Sequence, residues 1–260
     1  METAGLYYEE HGHREAEPLI LVSGLGGSAS YWAPNIAALA DRYRVIAFDQ
    51  RGTGRSERTV PETPMIEAIA DDIGQLIESL GIKRATIIGH AIGGMAGITL
   101  ALDNPECIAR LVVINGWGRI DPYTARCFDA RLAILRGAGP REYIYAQPIF
   151  LYPPQWTSDH HIELEEEEDR LVAGFPDVEL VASRIRDASR FDVIDEVGNL
   201  SVPVLFVASD DDALVPPACS ERLNAAVPGS KIARIARGGH ACNVTDPVTF
   251  NHLVLDFLGS

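Results

Sequence analysis

A histidine and a group of aspartates, well separated along the chain, have the surroundings of a catalytic base and its orienting acid. His240 follows two glycines in the segment "RIARGGHACNVTDP", and the aspartates end the apolar run of "PVLFVASDDDALVPP". A carboxylate at the end of such a strand can orient an imidazole without being fully solvated. An imidazole held in this way can take a proton from a hydroxyl group or from water. These residues therefore predict hydrolytic chemistry at a carbonyl group.

The segment "IIGHAIGG", residues 87–94, has the form of a turn that presents a catalytic nucleophile. In the pattern G-x-S-x-G, a sharp bend between a strand and a helix exposes a serine hydroxyl. Gly89 and Gly93 occupy the glycine positions here, and Ala91 occupies the position of the serine. A methyl group cannot attack a carbonyl carbon. The match is therefore accidental, or the chain is a hydrolase that lacks its nucleophile, either by nature or by substitution.

Short apolar runs that alternate with helical patterns must position these residues. The runs are nearly continuous, which is typical of parallel strands covered on both faces. One intervening segment carries apolar residues at helical spacing, which gives a stripe that can lie on a sheet: Ile66, Ile69, Ile73, Leu76, Ile77 and Leu80. We therefore predict an α/β fold with a mostly parallel, doubly wound sheet. The predicted strands cover residues 18–24, 43–49, 84–90, 109–116, 203–210 and 231–237.

The alternation is interrupted once, between residues 118 and 192. This stretch is polar and helical in pattern, with turn-forming residues at 137–140 and 153–154. We predict that it is a helical cap inserted into a core of residues 1–117 and 193–260, and that it covers the strand ends where open α/β sheets bind ligands. Asp246 and Pro247 are predicted to begin the last helix, as N-cap and first helical residue.

Composition limits the kinds of partner. The 260 residues are 47% hydrophobic and carry a formal net charge of −15, which argues against nucleic acid or an anionic membrane as partner. No stretch approaches the ~20 apolar residues of a membrane span, and the N-terminal segment lacks the pattern of a signal peptide. The four cysteines are scattered along the sequence, and we expect them to be reduced thiols. We expect a cytoplasmic enzyme that acts on a small molecule, with no metal and no organic cofactor.

Several segments carry a resemblance to a known family. They are "SGLGGSASYW", "DQRGTG", "GHAIGG", "NGWGRI", "AQPIFLYPPQW", "VPPACS" and "GGHACNVTDPVTFN". With them the chain resembles an α/β-hydrolase over nearly its whole length, and more narrowly the hydrolases of the Rut pyrimidine-utilisation pathway. Members of that group are similar in carrying G-H-A in the turn, which makes Ala91 compatible with a native sequence. The resemblance implies hydrolysis of a carbamate or aminoacrylate formed during uracil catabolism.

The resemblance also implies roles for particular residues. The family spacing G-x-x-D-x-x-x-P fits Asp212 best as the acid, with Ser209 where glycine is usual; Asp211 is the alternative, and Asp210 is expected to contact backbone. Backbone amides of Leu25 and Ile92 are expected to form the oxyanion hole. His240 is the expected base, and Ala91 stands at the nucleophile position. The residues expected to contact substrate are chosen by their place in the sequence, in the loop of Leu25, in the turn and near the edges of the cap, and not by the resemblance: Ser23, Gly24, His90, Trp117, Arg119 and Tyr152.

Three hypotheses about function follow. In the first, a water takes the place of the missing serine oxygen, is deprotonated by His240, and hydrolyses a small, labile C–N compound. In the second, the chain is a serine hydrolase (an amidase, lactamase or esterase) whose nucleophile has been replaced by Ala91. In the third, it is a pseudoenzyme that binds a ligand without turnover, and then replacement of His240 would leave every activity unchanged.

Overall fold

The computed structural model describes residues 1–58 and 63–259, and its centre is one eight-stranded sheet. The order of the strands across the sheet is β1-β2-β4-β3-β5-β6-β7-β8. Strands β3 to β8 are parallel, whereas β1 and β2 form an antiparallel edge next to β4. The strands are β1 (Glu2–Thr3), β2 (Leu6–His11), β3 (Pro18–Val22), β4 (Arg44–Phe48), β5 (Ala85–His90), β6 (Ile108–Ile114), β7 (Val204–Ser209) and β8 (Lys231–Ile235).

Helices cover both faces of this sheet, because alternate residues of the buried strands point to opposite sides. Ile20 and Val22 of β3 belong to the apolar cluster under the second and third helices, while Leu19 and Leu21 belong to the cluster under the first and last. The helices are α1 (Ala33–Ala40), α2 (Met65–Ser79), α3 (Ile92–Asp103), α4 (Pro122–Gly137), α5 (Pro140–Leu151), α6 (Pro154–Asp159), α7 (His161–Ala173), α8 (Val178–Arg190), α9 (Ala218–Ala226), α10 (Cys242–Thr245) and α11 (Pro247–Leu258).

The six predicted strands are confirmed as β3 to β8, and the predicted apolar stripe lies on the buried side of α2, except that Leu80 follows the end of the helix and is half-buried. The antiparallel edge was not predicted. Its strand β2 carries Glu9 and Glu10 on a half-exposed segment, so it lacks the continuous apolar run of the central strands. Glu10 nevertheless pairs with Arg44 of β4, with the Oε1 and Nε atoms 2.8 Å apart, which fixes this edge.

Five helices, α4 to α8, lie in the chain between β6 and β7. We propose that they form the cap that the sequence predicts over residues 118–192. Helix α4 begins as expected for its sequence: Asp121 accepts a hydrogen bond from the Tyr123 amide, and Pro122 follows at the first helical position. Asp246 and Pro247 begin α11 in the same manner, with the Asp246 carboxylate accepting from the Thr249 amide at 3.2 Å.

Candidate active site

The turn between β5 and α3 places residue 91 at the carboxyl edge of the sheet. Ala91 has φ 47° and ψ −114°, a backbone conformation that costs energy for any residue with a side chain. Its amide donates to the Ile114 carbonyl of the neighbouring strand at 2.8 Å, which holds the turn in place. A Cβ atom at Gly93 would lie 2.3 Å from the Val22 carbonyl oxygen, so only glycine permits this close approach of helix and strand. The geometry is that of a nucleophile turn with a methyl group at its apex.

His240 and Asp212 form a buried pair beside this turn. The Nδ1 atom of His240 lies 2.8 Å from Oδ2 of Asp212, and the two residues are 3% and 8% exposed. The other carboxylate oxygen of Asp212 accepts from the amides of Leu214 and Val215 at 2.8 and 2.9 Å. Because an ionised carboxylate can only accept, Nδ1 of His240 is the donor in this contact, and Nε2 is the nitrogen that remains for other partners. The pair therefore presents an imidazole that can accept a proton at Nε2.

The two neighbouring aspartates have structural contacts of their own. Asp211 accepts hydrogen bonds from the amides of Gly238 and Gly239 at 2.9 and 2.8 Å, and so holds the loop that carries His240. Asp210 forms an ion pair with Arg234, with Oδ1 and Nε 2.5 Å apart. The expectation that Asp210 contacts backbone is therefore wrong. Of these two aspartates, it is Asp211 whose side chain contacts backbone, because it turns toward the His240 loop, whereas Asp210 faces the neighbouring strand β8.

Asn115, which the sequence analysis did not select, also holds the His240 loop. Its Nδ2 atom donates to the His240 carbonyl at 2.7 Å, and its Oδ1 atom accepts from the Ser209 amide at 2.9 Å. Asn115 has φ 49°, a conformation that asparagine tolerates better than most residues with a side chain. A signal was present in the sequence, since a single asparagine followed by glycine ends the apolar run of β6.

The amides of Leu25 and Ile92 are available as an oxyanion hole. Among residues 1–58 and 63–259, neither amide donates a hydrogen bond to another group. Ile92 begins α3, so its N–H is one of the free amides at a helix N-terminus. The loop of Leu25 is held from behind by Gln50, whose Nε2 donates to the Ser23 carbonyl at 2.6 Å. The two donors are thus fixed before any ligand binds.

His90 lies between the ring of His240 and the loop of Gly24, and its imidazole is held in the neutral form. Burial, together with the nearby ring of His240, lowers the pKa of His90 well below 6.5. Its Nε2 atom donates to the His240 carbonyl at 2.8 Å. Its Nδ1 atom is buried without a hydrogen-bond partner in the described part of the chain, as is the hydroxyl of Ser23. A side chain at Gly24 would place its Cβ only 2.8 Å from that Nδ1 atom.

The neutral state of His90 predicts a loss of stability in acid. The imidazole binds a proton near pH 6.5 when unfolded but stays neutral when folded, so the unfolded state binds more protons as the pH falls. We expect the free energy of unfolding to fall below pH 6.5 by up to about 1.4 kcal/mol per pH unit from this residue alone. Urea denaturation of the wild type and the His90→Gln variant, from about pH 7.5 to about pH 5, measures this contribution as the difference in slope.

His252→Gln is the matched control for this experiment, because the His252 side chain is 74% exposed on α11. It should leave the slope of the wild type unchanged. Equal slopes for the wild type and His90→Gln would contradict the assignment of a neutral, buried His90.

A cavity of about 220 Å³ joins the turn, the histidines and the cap. Nine of the residues expected at the site line it: Ser23, Gly24, Leu25, His90, Ala91, Ile92, Trp117, Tyr152 and His240. Asp212 lies behind His240 and reaches the cavity through that ring. Tyr31 and Arg131 line the cavity as well but were not selected from the sequence. The structure thus brings the candidate base, the two amides and Ala91 at the nucleophile position to one cavity.

Arg119 is not placed at this cavity, contrary to expectation. Its side chain is 54% exposed and pairs with Asp192 and Asp195, at 2.6 and 2.9 Å. Arg119 also forms an isolated β-bridge with Asp192, so it joins the two ends of the inserted segment. These ion pairs connect the two ends of the inserted segment, whereas the arginine that lines the cavity is Arg131, on the third turn of α4.

Cys242, although close to His240 in sequence, has the character of a packed thiol. It is fully buried, and burial raises its pKa to about 12, so the thiol remains protonated at neutral pH. All four cysteines are free.

Within the described ranges, no cluster of three or more His, Cys, Asp and Glu side chains is arranged to hold a metal ion. None of the helices in the part of the chain that the structure describes is long and apolar enough to cross a membrane.

The sheet, the strained turn and the histidine–aspartate pair define an α/β-hydrolase, and comparison with known proteins agrees. The family profile described as alpha/beta hydrolase fold matches residues 17–139. The enol-lactonase from Burkholderia xenovorans superimposes with a TM-score of 0.88 at 28% identity, over 98% of this chain and 96% of that one. A hydrolase from Pseudomonas aeruginosa gives 0.87 at 25% identity, over 98% and 94% of the two chains.

Relatives of higher sequence identity place the chain in a narrower group of α/β-hydrolases. A protein of Caulobacter vibrioides named "Putative carbamate hydrolase RutD" is 46% identical over 256 residues, 98% of this chain and 95% of the relative. A protein of the same name from Escherichia coli is 41% identical over 248 residues, 95% and 93% of the two chains. The chain therefore belongs to the α/β-hydrolase family and, within it, to the group of proteins that carry the RutD name.

Proposed function

We propose that this hydrolase cleaves small, labile C–N compounds, namely carbamates or enamines of the aminoacrylate type, by attack of a water molecule that His240 deprotonates. One observation carries the proposal: the paired imidazole of His240 and the free amides of Leu25 and Ile92 line the same cavity as Ala91. Replacement of a serine side chain by a methyl group leaves room at the apex of the turn for one oxygen atom. A water in that position would be within reach of the base.

The proposed reaction on a carbamate has two steps. Nε2 of His240 takes a proton from the water while the oxygen bonds to the carbonyl carbon, and the amides of Leu25 and Ile92 stabilise the resulting oxyanion. The C–N bond then breaks, and the imidazolium returns the proton to the leaving nitrogen. For an enamine, the same water adds to the carbon of the imine tautomer before the C–N bond breaks. Asp212 stabilises the charged imidazolium in both cases.

The expected rate enhancement suits a labile substrate. Serine proteases that have lost one member of their catalytic triad still accelerate hydrolysis about 10³- to 10⁴-fold over water, or about 4 to 5 kcal/mol. An acceleration of that size is too small for an ordinary amide, but it is sufficient for a carbamic acid or an enamine, which break down readily unaided. The cavity of about 220 Å³ is also smaller than the roughly 300 to 1,000 Å³ typical of sites for drug-sized ligands.

The relatives support the same substrate class. Two of them, from Caulobacter vibrioides and Escherichia coli, carry the name "Putative carbamate hydrolase RutD". We extend that activity to this chain, and we place it in the breakdown of pyrimidines such as uracil, where the resemblance of the sequence points. The strained conformation of Ala91 favours a second candidate, a serine hydrolase of the amidase, lactamase or esterase type whose nucleophile has been replaced.

A comparison of the wild type with Ala91→Ser tests the proposal. Each protein is assayed on a carbamate, an aminoacrylate-type enamine and a simple ester, against the rate in buffer. We expect the wild type to accelerate only the two C–N substrates, by about 10³-fold or more. We expect Ala91→Ser to gain ester hydrolysis and to become labelled by an organophosphonate, because the restored hydroxyl would lie beside His240 in the nucleophile position.

The outcomes separate the candidates. If only Ala91→Ser is active, on esters or amides, the second candidate is correct and the water mechanism is wrong. Rates that do not exceed buffer for either protein would rule out both enzymatic functions and leave ligand binding without turnover.

A further inference from the structure

We propose that Arg131 binds a carboxylate group carried by the substrate, and so makes this cavity specific for anionic substrates. The inference deepens the proposed function and rests on it for the reaction, but the binding step can be tested without turnover. The sequence pattern does not indicate a role for Arg131, because nothing in it separates this residue from the other two arginines of the same helical segment. In the structure those two are exposed, whereas Arg131 is buried.

Arg131 is a buried cation that lines the cavity. It is only 4% exposed, it lies on α4, and its neighbours around the cavity include the catalytic candidates His240 and Ala91. Among the residues that line the cavity within the described ranges, it is the sole lysine or arginine. A substrate held between the cap and the turn would therefore meet one fixed positive charge, on the cap side.

The hydrogen-bonding capacity of Arg131 is only partly used. Nη2 donates to the Tyr143 hydroxyl at 2.7 Å and to Oε1 of Gln147 at 3.4 Å. Nε is buried without a partner, and Nη1 forms no hydrogen bond with any residue of 1–58 or 63–259. Its remaining contacts are with ring faces: the guanidinium carbon lies 5.1 Å from the centroid of Tyr143 and 5.8 Å from that of Phe150.

The charge of Arg131 is therefore not neutralised by the protein. Its partners are a phenol, an amide and two rings, and no carboxylate of the described residues forms an ion pair with it. Buried charges in proteins are normally paired, since an isolated one is costly. A guanidinium is also the side chain best suited to binding a planar carboxylate. A carboxylate from the substrate would supply the missing counter-charge.

Comparison with the second buried arginine shows why the position matters. Arg184 of α8 is 1% exposed and likewise forms no ion pair with a carboxylate of the described residues, but it is not among the residues lining the cavity. Its two terminal nitrogens are occupied by Gln50 Oε1, by the Gly24 carbonyl at 3.4 Å and by the Met65 sulfur at 3.6 Å. Arg184 thus supports the loop behind the oxyanion hole, whereas Arg131 faces the space where a ligand binds.

Two acids also line the cavity, but they lie toward solvent. Glu167 is exposed and Glu168 is half-buried, both on α7 of the cap. Neither forms an ion pair with Arg131. Water and salt screen the repulsion that exposed carboxylates exert on an incoming anion. Arg131, excluded from solvent, is expected to dominate once the anion has entered, because electrostatic interactions strengthen in a site of low dielectric constant.

The test measures the binding of propionate and of propionamide, which have the same shape but differ in charge. NMR titration of the ligand resonances gives the two dissociation constants for the wild type, Arg131→Met and Arg131→Lys. We expect the wild type to prefer propionate, and Arg131→Met to lose roughly ten- to a hundredfold of that preference, the usual effect of a hydrogen bond to a charged group. Arg131→Lys should retain part of it. Arg136→Met is the matched control, since Arg136 lies on the same helix with its side chain 49% exposed.

The outcomes separate this inference from the proposed function. A preference that survives in a folded Arg131→Met protein, or a wild type without preference, overturns the inference. If Arg131→Met does not fold, the comparison of the wild type with Arg131→Lys decides in the same way. A preference that depends on Arg131 in a protein that hydrolyses none of the substrates supports the inference while the proposed function fails. In an active enzyme, Arg131→Met should raise KM for an anionic substrate and leave kcat nearly unchanged.

Discussion

Replacement of His240 by asparagine is expected to lower kcat for hydrolysis by about 10²- to 10⁴-fold, the usual contribution of a general base. Among the described residues that line the cavity with Ala91, His240 has the imidazole that is paired with a buried carboxylate, and its second nitrogen can accept a proton. Asparagine can keep the hydrogen bond to Asp212 but cannot take a proton from water. The measurement is kcat on the best carbamate or enamine substrate, with circular dichroism to show that the variant is folded.

Asp212→Asn should cause a loss of similar order, because the imidazole then loses the partner that stabilises its charged form. The double variant should be little worse than His240→Asn alone, since the two residues act as a unit. His252→Asn, at an exposed position of α11, is the control and should keep full activity. An activity that is unchanged in folded His240→Asn would instead contradict the role of His240 as the base, and it is the outcome that the pseudoenzyme hypothesis predicts.

Gly93→Ala is expected to lower the free energy of unfolding by about 3 kcal/mol, the upper end of the usual cost of overpacking. The added Cβ would lie 2.3 Å from the Val22 carbonyl oxygen and 2.7 Å from that of Ser23. Both contacts are with backbone, so rotation of a side chain cannot relieve them, and α3 must move away from β3. The same movement would displace the Ile92 amide, so we also expect hydrolysis to be lost in the fraction that remains folded. Urea denaturation and kcat measure the two effects.

Gly137→Ala is the matched control. Gly137 ends α4 on the surface, and a Cβ there would meet nothing within 4 Å. Alanine favours the helix over glycine, so this variant should be as stable as the wild type or slightly more stable. A Gly93→Ala protein as stable as Gly137→Ala would show that helix and strand are not held as closely as the structure indicates.

Much of the fold could be predicted because the core leaves a periodic pattern in the sequence. The central strands are buried on both faces, so each reads as an apolar run, and the buried side of α2 repeats at helical spacing. Strand β2 was not predicted, because it is not buried on both faces and has no continuous apolar run. It lies at the edge of the sheet with Glu9 and Glu10 half-exposed, and a strand of this kind resembles a polar loop.

The parts of the candidate site that could be predicted are those whose position depends on local backbone structure. The glycines of the turn, the strand end before Asp212 and the glycines before His240 are all local features of the sequence, and the structure brings these residues together. The cap residues were not predictable in this way. Arg119 and Arg131 are both arginines of the inserted segment, and nothing local separates the one that joins the base of the cap from the one that lines the cavity.

The sequence by itself thus determined the α/β-hydrolase architecture, the position of the turn and the absence of a hydroxyl at Ala91. Only the tertiary structure decided that Asp212 contacts His240, that Asp211 and Asn115 hold its loop, and that Arg131 reaches the cavity without a counter-ion among the described residues. The reason is physical. Backbone conformation and burial in strands follow from neighbours along the chain, whereas the partner of a charged side chain depends on which distant elements pack against it.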